Sequence, residues 1–146
     1  MVKLIGFKKI RTAVFISGTG SNLEKLIKFS LKKTSPIEVS LIISSNAKAK
    51  GLGYAKLYKI KKKIYNFNKK KISERKTLKD LVSNDIKLIC LAGFMKILSG
   101  DFIRKFKGKI LNIHPSLLPK YKGLKTHHRV IQNKEKYSGC TVHLVN

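Results

Sequence analysis

Cysteine is nearly absent: Cys90 and Cys140 are the only two in a chain of 146 residues. They have no CxxC spacing and no accompanying cluster of His or acidic residues. A disulfide framework and a metal site are therefore not expected, and both thiols are expected to be buried and reduced. Proline and glycine are also sparse, at 3 and 10 residues against 42% hydrophobic ones, which sets aside disordered and collagen-like chains. No apolar run is long enough to cross a bilayer, and the apolar core within Met1–Lys9 is too short for a signal peptide. A cytoplasmic protein with no membrane partner is expected.

Acidic residues and arginine are scarce as well. Seven Asp and Glu against 33 Lys and Arg give a formal net charge of +26, which taken alone suggests a nucleic-acid partner. Only Arg11, Arg75, Arg104 and Arg129 carry a guanidinium, however, and lysine lacks its bidentate recognition of phosphates and bases. The lysines are not interleaved with aromatics that would stack single-stranded bases. Together with the wealth of Ile and Asn, they look like the product of an A/T-rich codon bias. No specific nucleic-acid partner is expected, although the positive charge would still steer anionic metabolites toward the protein.

The length suits one domain, residues 1–146. Thr12–Ser17 is a β-branched and aromatic run ending at Gly18, which reads as a buried strand entering a Gly-rich turn. Leu23, Leu26, Ile27 and Leu31 then recur at helical spacing until Pro36. Ile37–Ser44 reads as a second strand and Lys48–Tyr58 as a helix. Lys61–Lys71 reads as a solvated connection in which Ile64–Phe67 forms an edge strand. Glu74–Ser83 reads as a helix capped by Ser73, and Ile86–Ala92 as a central strand covered on both faces. Helices over Ser99–Phe106 and Thr126–Asn133 and strands over Ile110–Ile113 and Cys140–Val145 complete the alternation. This order predicts an α/β fold, a mostly parallel Rossmann-like sheet with helices on both faces, binding ligands beyond the carboxyl ends of its strands.

Three segments at strand ends carry polar groups or apolar ligand surfaces. Gly18-Thr19-Gly20-Ser21-Asn22 joins the first strand to the first helix, where backbone N–H groups and the helix dipole favour an anion. It lacks the third Gly of a dinucleotide fingerprint and the Lys-Ser/Thr pair of a P-loop, so a tight turn capped by Ser21 or Asn22 remains an equal reading. Leu91–Leu98 leaves its strand without a charge until Lys96, which suits a flat aromatic ligand or ordinary core packing. Asn112-Ile113-His114-Pro115-Ser116 sends Asn112 and His114 to one side of a strand end, with Pro115 and Pro119 stiffening the exit. His127 is expected to face the cleft and His128 the solvent, while His143 reads as structural.

Ile16–Leu23, Leu91–Leu98 and Asn112–Tyr121, in this order, resemble the phosphoribosylglycinamide formyltransferase family of folate-dependent purine synthesis. The resemblance implies a one-carbon group transferase that moves the formyl group of 10-formyltetrahydrofolate to the amine of glycinamide ribonucleotide on the route to IMP, without a metal. Carried over by position, Gly20, Ser21 and Asn22 fall on the substrate-phosphate loop. Met95, Lys96, Ile97 and Leu98, with Asn112, fall on the folate-binding positions, and Asn112 and His114 on the catalytic pair. Arg75 is the candidate for a folate-binding Arg, at a shorter spacing from Met95 than is usual.

Methionyl-tRNA formyltransferase is the nearest alternative, but it follows its Asn-x-His core with an Arg-rich sequence, where Lys120–His127 stands here. Formyltetrahydrofolate deformylase carries a leading regulatory domain and a second His where Pro115 stands. A basic RNA-binding domain is the non-enzyme alternative. The resemblance further implies an acidic loop whose Asp pairs with the catalytic His, beyond Asn146 where this sequence stops. An incomplete stretch of a longer enzyme is the favoured expectation, a truncated and inactive product the other. Apolar surface left uncovered beside Val145, and poor solubility with it, is expected in either case.

Overall fold

The computed structural model describes residues 8–146, so most of the Met1–Lys9 stretch examined for a signal peptide lies outside the described residues. Among the described residues, six strands and five helices alternate: β1 (Ile10–Ile16), α1 (Ser21–Ser30), β2 (Ile37–Ser44), α2 (Leu52–Leu57), β3 (Lys61–Ile64), α3 (Lys70–Ser83), β4 (Leu88–Leu91), α4 (Gly100–Lys105), β5 (Lys109–His114), α5 (Thr126–Gln132) and β6 (Thr141–Leu144). They build one sheet of order β3-β2-β1-β4-β5-β6, parallel except for β6, which runs antiparallel to β5.

The two faces of β1 explain the layering. Ala13 and Phe15 point into a core with Leu81, Ile89, Phe102 and Ile110, under α3 and α4. Val14 and Ile16 point the other way, into a core with Leu23, Ile27, Ile42 and Leu52, under α1 and α2. Both faces are dry, as the unbroken apolar runs of β1 and β4 require. The strand order reverses between β1 and β4, and a crevice opens at such a switch point beyond the carboxyl ends of the strands.

Several local expectations are corrected. The cap of α1 is neither Ser21 nor Asn22 but Gly20, at φ 78°, with no side-chain cap bond. That left-handed conformation suits glycine, and it places Ser21 and Asn22 inside the first helical turn. The helix stops at Ser30, well before Pro36, where the Ser30 hydroxyl turns back to donate to the Ile27 carbonyl. The edge strand is Lys61–Ile64, not Ile64–Phe67, and all four of its residues are exposed. Lysines along a sheet edge are compatible with pairing on one side while deterring pairing on the other.

Ser73 does not cap α3. The helix begins at Lys70, after a single 3-10 turn over Phe67–Lys69 that is capped by the Asn66 side chain, and the Ser73 hydroxyl donates to the Asn66 carbonyl at 2.8 Å. At the far edge, Val142 and Leu144 are 62% and 53% exposed on one side of β6, the uncovered apolar surface expected there.

The thiols also divide. Cys90 is buried and its pKa is pushed up to about 11 by desolvation, whereas Cys140 is exposed, against the expectation that both would be buried. A thiol-reactive dye such as Ellman's reagent should therefore label one cysteine in the folded protein and two in denaturant, and Cys140→Ser should remove the native signal. Labelling of two thiols under native conditions would contradict the burial of Cys90.

Candidate active site

At the carboxyl end of β1 the chain passes through Gly18 and Thr19 into α1. Glu24 N–H makes the first helical bond, to the Gly20 carbonyl at 2.9 Å, so the N–H groups of Ser21, Asn22 and Leu23 precede the helical ladder. Such groups, with the helix dipole behind them, suit an anion. The loop is clasped from outside: Gly51 N–H donates to the Gly18 carbonyl at 3.0 Å, and a Cβ on Gly20 would stand 2.7 Å from the Gly51 Cα. Gly51 was not marked by the motif, and a loop-to-loop approach this close leaves no trace in local sequence.

Beyond β4, the Phe94 ring packs edge-on against Phe15 at 5.4 Å and Phe67 at 5.1 Å between centroids, fixing the start of the Met95–Leu98 segment. Met95 and Ile97 are 63% and 79% exposed, so an apolar surface stands open there. The Lys96 ammonium donates to Asn68 Oδ1 at 3.0 Å. Leu98 instead turns into the core beside Phe102. Arg75 is exposed on α3, lining a groove of about 890 Å³ with Leu78, Val82 and Phe102. Among the described residues, no hydrogen bond or ion pair joins Arg75 to Met95–Leu98.

β5 carries the polar pair. Strand alternation puts Asn112 and His114 on the same face as Ile110, which enters the core under α3 and α4. His114 is 9% exposed, and its Nε2 lies 2.9 Å from the Tyr121 carbonyl. A carbonyl only accepts, so Nε2 carries the hydrogen and Nδ1 is left to exchange a proton.

Asn112 Nδ2 lies 3.1 Å from His143 Nε2, across the β5–β6 pairing that sets these two residues opposite each other. His143 Nδ1 donates to the Leu144 carbonyl at 3.0 Å, which leaves Nε2 as the acceptor from Asn112. His143 thus orients the Asn112 amide and leaves its second N–H uncommitted. The sequence reading missed this contact because a β5–β6 register cannot be read from either strand alone.

The segment after His114 is tied down at several points. The Ser116 hydroxyl donates to the Lys120 carbonyl at 2.7 Å, and the Thr141 hydroxyl donates to the Ser116 carbonyl while accepting from Leu118 N–H. The Tyr121 hydroxyl donates to Glu135 at 2.7 Å. That bond, with another from Lys120, holds the Glu135 carboxyl below its ordinary range. The Tyr121 carbonyl is therefore a fixed partner for His114. His127 and His128 are both exposed at the start of α5, the exposure expected for His128. Among the described residues, no group of three or more His, Cys, Asp and Glu gathers as a metal site would require.

The Formyl transferase family pattern matches residues 10–146. The chain belongs to the formyl transferase family. Among its relatives, the phosphoribosylglycinamide formyltransferase of Haemophilus influenzae is 43% identical over 144 residues, covering 95% of this chain and 66% of that protein. The trifunctional purine biosynthetic protein adenosine-3 of Gallus gallus is 44% identical over 142 residues, covering 94% of this chain but 14% of that protein. The crystal structure of phosphoribosylglycinamide formyltransferase from Brucella melitensis superposes with a TM-score of 0.88 at 42% identity, covering 95% of this chain and 74% of that one. The chain thus spans just under two thirds of one curated relative and a small part of the other. The Rossmann-like sheet is the fold of this family of formyl transferases, as the sequence led one to expect.

His143→Ala should lower the catalytic rate of a formyl transferase built on this site by roughly tenfold, about the effect of releasing one hydrogen bond that orients a reacting group. His143→Gln, which can still accept through its amide oxygen, should recover part of the loss. Steady-state rates of the two variants check this, and an unchanged rate in His143→Ala would remove His143 from the site.

Proposed function

We propose that this chain forms the catalytic part of a cytoplasmic enzyme that transfers the formyl group of 10-formyltetrahydrofolate to the primary amine of glycinamide ribonucleotide, on the route to IMP. The observation that carries the proposal is the placement of Asn112 and His114 on one face at the carboxyl end of β5, with one Asn112 N–H committed to His143 and the other free, and His114 Nε2 committed to Tyr121 and Nδ1 free. The N-terminus of α1 at the switch point supports it as the seat for the ribonucleotide phosphate, through the backbone of Gly20, Ser21 and Asn22.

The folate supplies the formyl carbon and its N10 as leaving group. The exposed apolar segment Met95–Ile97, with Lys96 and the neighbouring Leu98 backbone, provides a surface for its pteridine ring. Attack by the substrate amine turns the formyl carbon tetrahedral and puts negative charge on its oxygen. The free N–H of Asn112 and a protonated His114 stabilise that charge by hydrogen bonding. His114, whose Nε2–H is held by Tyr121, gives its Nδ1 proton to the departing nitrogen as the carbon–nitrogen bond breaks, and regains it from the substrate nitrogen, which sheds a proton on becoming an amide. Arg75, which stands apart on α3, is proposed only as a contact for the outer, anionic end of the folate.

Acceptor choice tests the reading. The natural gene product carrying this chain, incubated with 10-formyltetrahydrofolate, should consume the donor when glycinamide ribonucleotide is added and not when charged initiator tRNA is added. Consumption dependent on the tRNA would transfer the assignment to a methionyl-tRNA formyltransferase. Salt-sensitive RNA binding without turnover would favour a binding domain.

A further inference from the structure

We propose that the Ser17 hydroxyl is a positioning group that couples the phosphate loop to the loop after β4, so that a ligand seated in one half of the cleft orders the other half. The inference rests on the formyl-transfer reading and assigns a role to a residue that reading leaves idle.

Ser17 is the first residue beyond β1, and its polar groups reach two loops, the one after β4 and the one after β2. Its N–H donates to the Gly93 carbonyl at 3.1 Å. Its Oγ lies 2.8 Å from Met95 N, and because an amide N–H can only donate, the hydroxyl oxygen is the acceptor there. The same Oγ lies 2.6 Å from Ser45 Oγ, in the loop after β2. Its carbonyl accepts from Asn46 Nδ2 at 3.3 Å, and the next carbonyl, that of Gly18, accepts from Gly51 N–H at 3.0 Å.

This matters most for Met95. The paired residues of β1 and β4 end with Phe15 opposite Leu91, and two backbone bonds follow, from Ala92 N–H to the Phe15 carbonyl at 2.9 Å and from Ser17 N–H to the Gly93 carbonyl at 3.1 Å. Beyond that point Gly93 takes φ 72°, the Met95 side chain is 63% exposed, and Ser17 supplies the polar contact that ties the Met95 backbone back to β1. Removing the hydroxyl leaves Met95 N–H and the Ser45 hydroxyl without this partner, while the backbone bond from Ser45 N–H to the Ile16 carbonyl and the buried strands are untouched.

The consequence is energetic coupling without a large movement. A phosphate held by the first turn of α1 restrains Gly18 to Gly20 and the Ser17 that precedes them. Less ordering of Met95 and its neighbours then remains when the folate arrives. By linkage the folate tightens the ribonucleotide by the same factor.

The test is calorimetric titration of the natural gene product with glycinamide ribonucleotide and the formyl-free analogue 5,8-dideazafolate, each alone and in the presence of the other. Each ligand should tighten its partner's binding by roughly fivefold or more in the wild type. In Ser17→Ala the factor should fall to about one, and in Ser17→Thr, which keeps the hydroxyl, it should return. A role confined to stability would weaken both ligands and lower Tm while leaving the factor intact.

Retention of the wild-type factor in Ser17→Ala, or a factor of one in the wild type, overturns the proposal. Should Ser17→Ala fail to fold, Ser45→Ala decides instead: a reduced factor supports the coupling and an unchanged one refutes it. A wild type that binds neither ligand brings down the formyl-transfer reading itself, which is a different outcome from two ligands that bind independently.

Discussion

Replacing His114 with Ala should lower formyl transfer by roughly 10²- to 10⁴-fold, the range typical of a lost general acid or base. The fold should survive. His114 contributes one hydrogen bond, to the Tyr121 carbonyl, worth about 1 kcal/mol. The Tyr121 loop keeps its other anchors, from Ser116 and Glu135. Asn112→Ala should cost roughly 10²- to 10³-fold, as expected for one hydrogen-bond donor to a developing oxyanion. Asn112→Asp sharpens the argument, because it keeps the size of the side chain while replacing the free N–H with an acceptor and placing negative charge where negative charge develops. It should be at least as damaging as Ala. Steady-state kinetics beside thermal melts check all three, and near-normal rates in both Ala variants would remove the catalytic assignment.

The second large effect belongs to the clasp around the phosphate loop. Gly20→Ala combines a left-handed backbone with a Cβ placed 2.7 Å from the Gly51 Cα, a backbone atom that cannot swing aside. Gly51→Ala would put its Cβ 2.8 Å from Ile16 Cδ1 and 3.2 Å from the Gly18 carbonyl oxygen. Strain of about 1 to 3 kcal/mol at such positions corresponds to roughly 5- to 150-fold in affinity. Each variant should therefore raise the KM for the ribonucleotide by about that factor, with a much smaller change in the KM for the folate. Gly53→Ala is the control, since nothing lies within 4 Å of its added Cβ, and it should behave as wild type. Equal effects on both substrates would indicate general unfolding rather than a distorted phosphate loop.

What was legible in the sequence follows from where the physical signal is local. β1, β2 and β4 are buried on both faces, so their apolar runs announce themselves, and a strand feeding a Gly-rich turn and then a helix is written in consecutive residues. The placement of Asn112 and His114 on one side of β5 needs only the period of two. The misses involve partners far apart in the chain. Lys61–Lys63 look like solvated linker because nothing in a run of lysines reveals that β2 pairs with them on one side. Ser73 looks like a cap until the 3-10 turn ahead of it continues directly into the helix. His143 meets Asn112, 31 positions away in sequence, only through the antiparallel register of β5 and β6. Gly51 and Ser17 act across loops, where local periodicity carries no information. The exposure of Cys140 is likewise invisible in the sequence, because it stands just before β6, an edge strand with one side open.

In the proposed function, the cleft around Asn112 and His114 moves a formyl group onto the amine of glycinamide ribonucleotide. The most direct measurement is a single-turnover reaction of the natural gene product with 10-formyltetrahydrofolate carrying an isotopic label in its formyl group, followed by isolation of the ribonucleotide. The label should appear in formylated glycinamide ribonucleotide, in a yield matching the folate released, and should vanish with His114→Ala. Label recovered as free formate, or on methionyl-tRNA, with none in the ribonucleotide, would contradict the account.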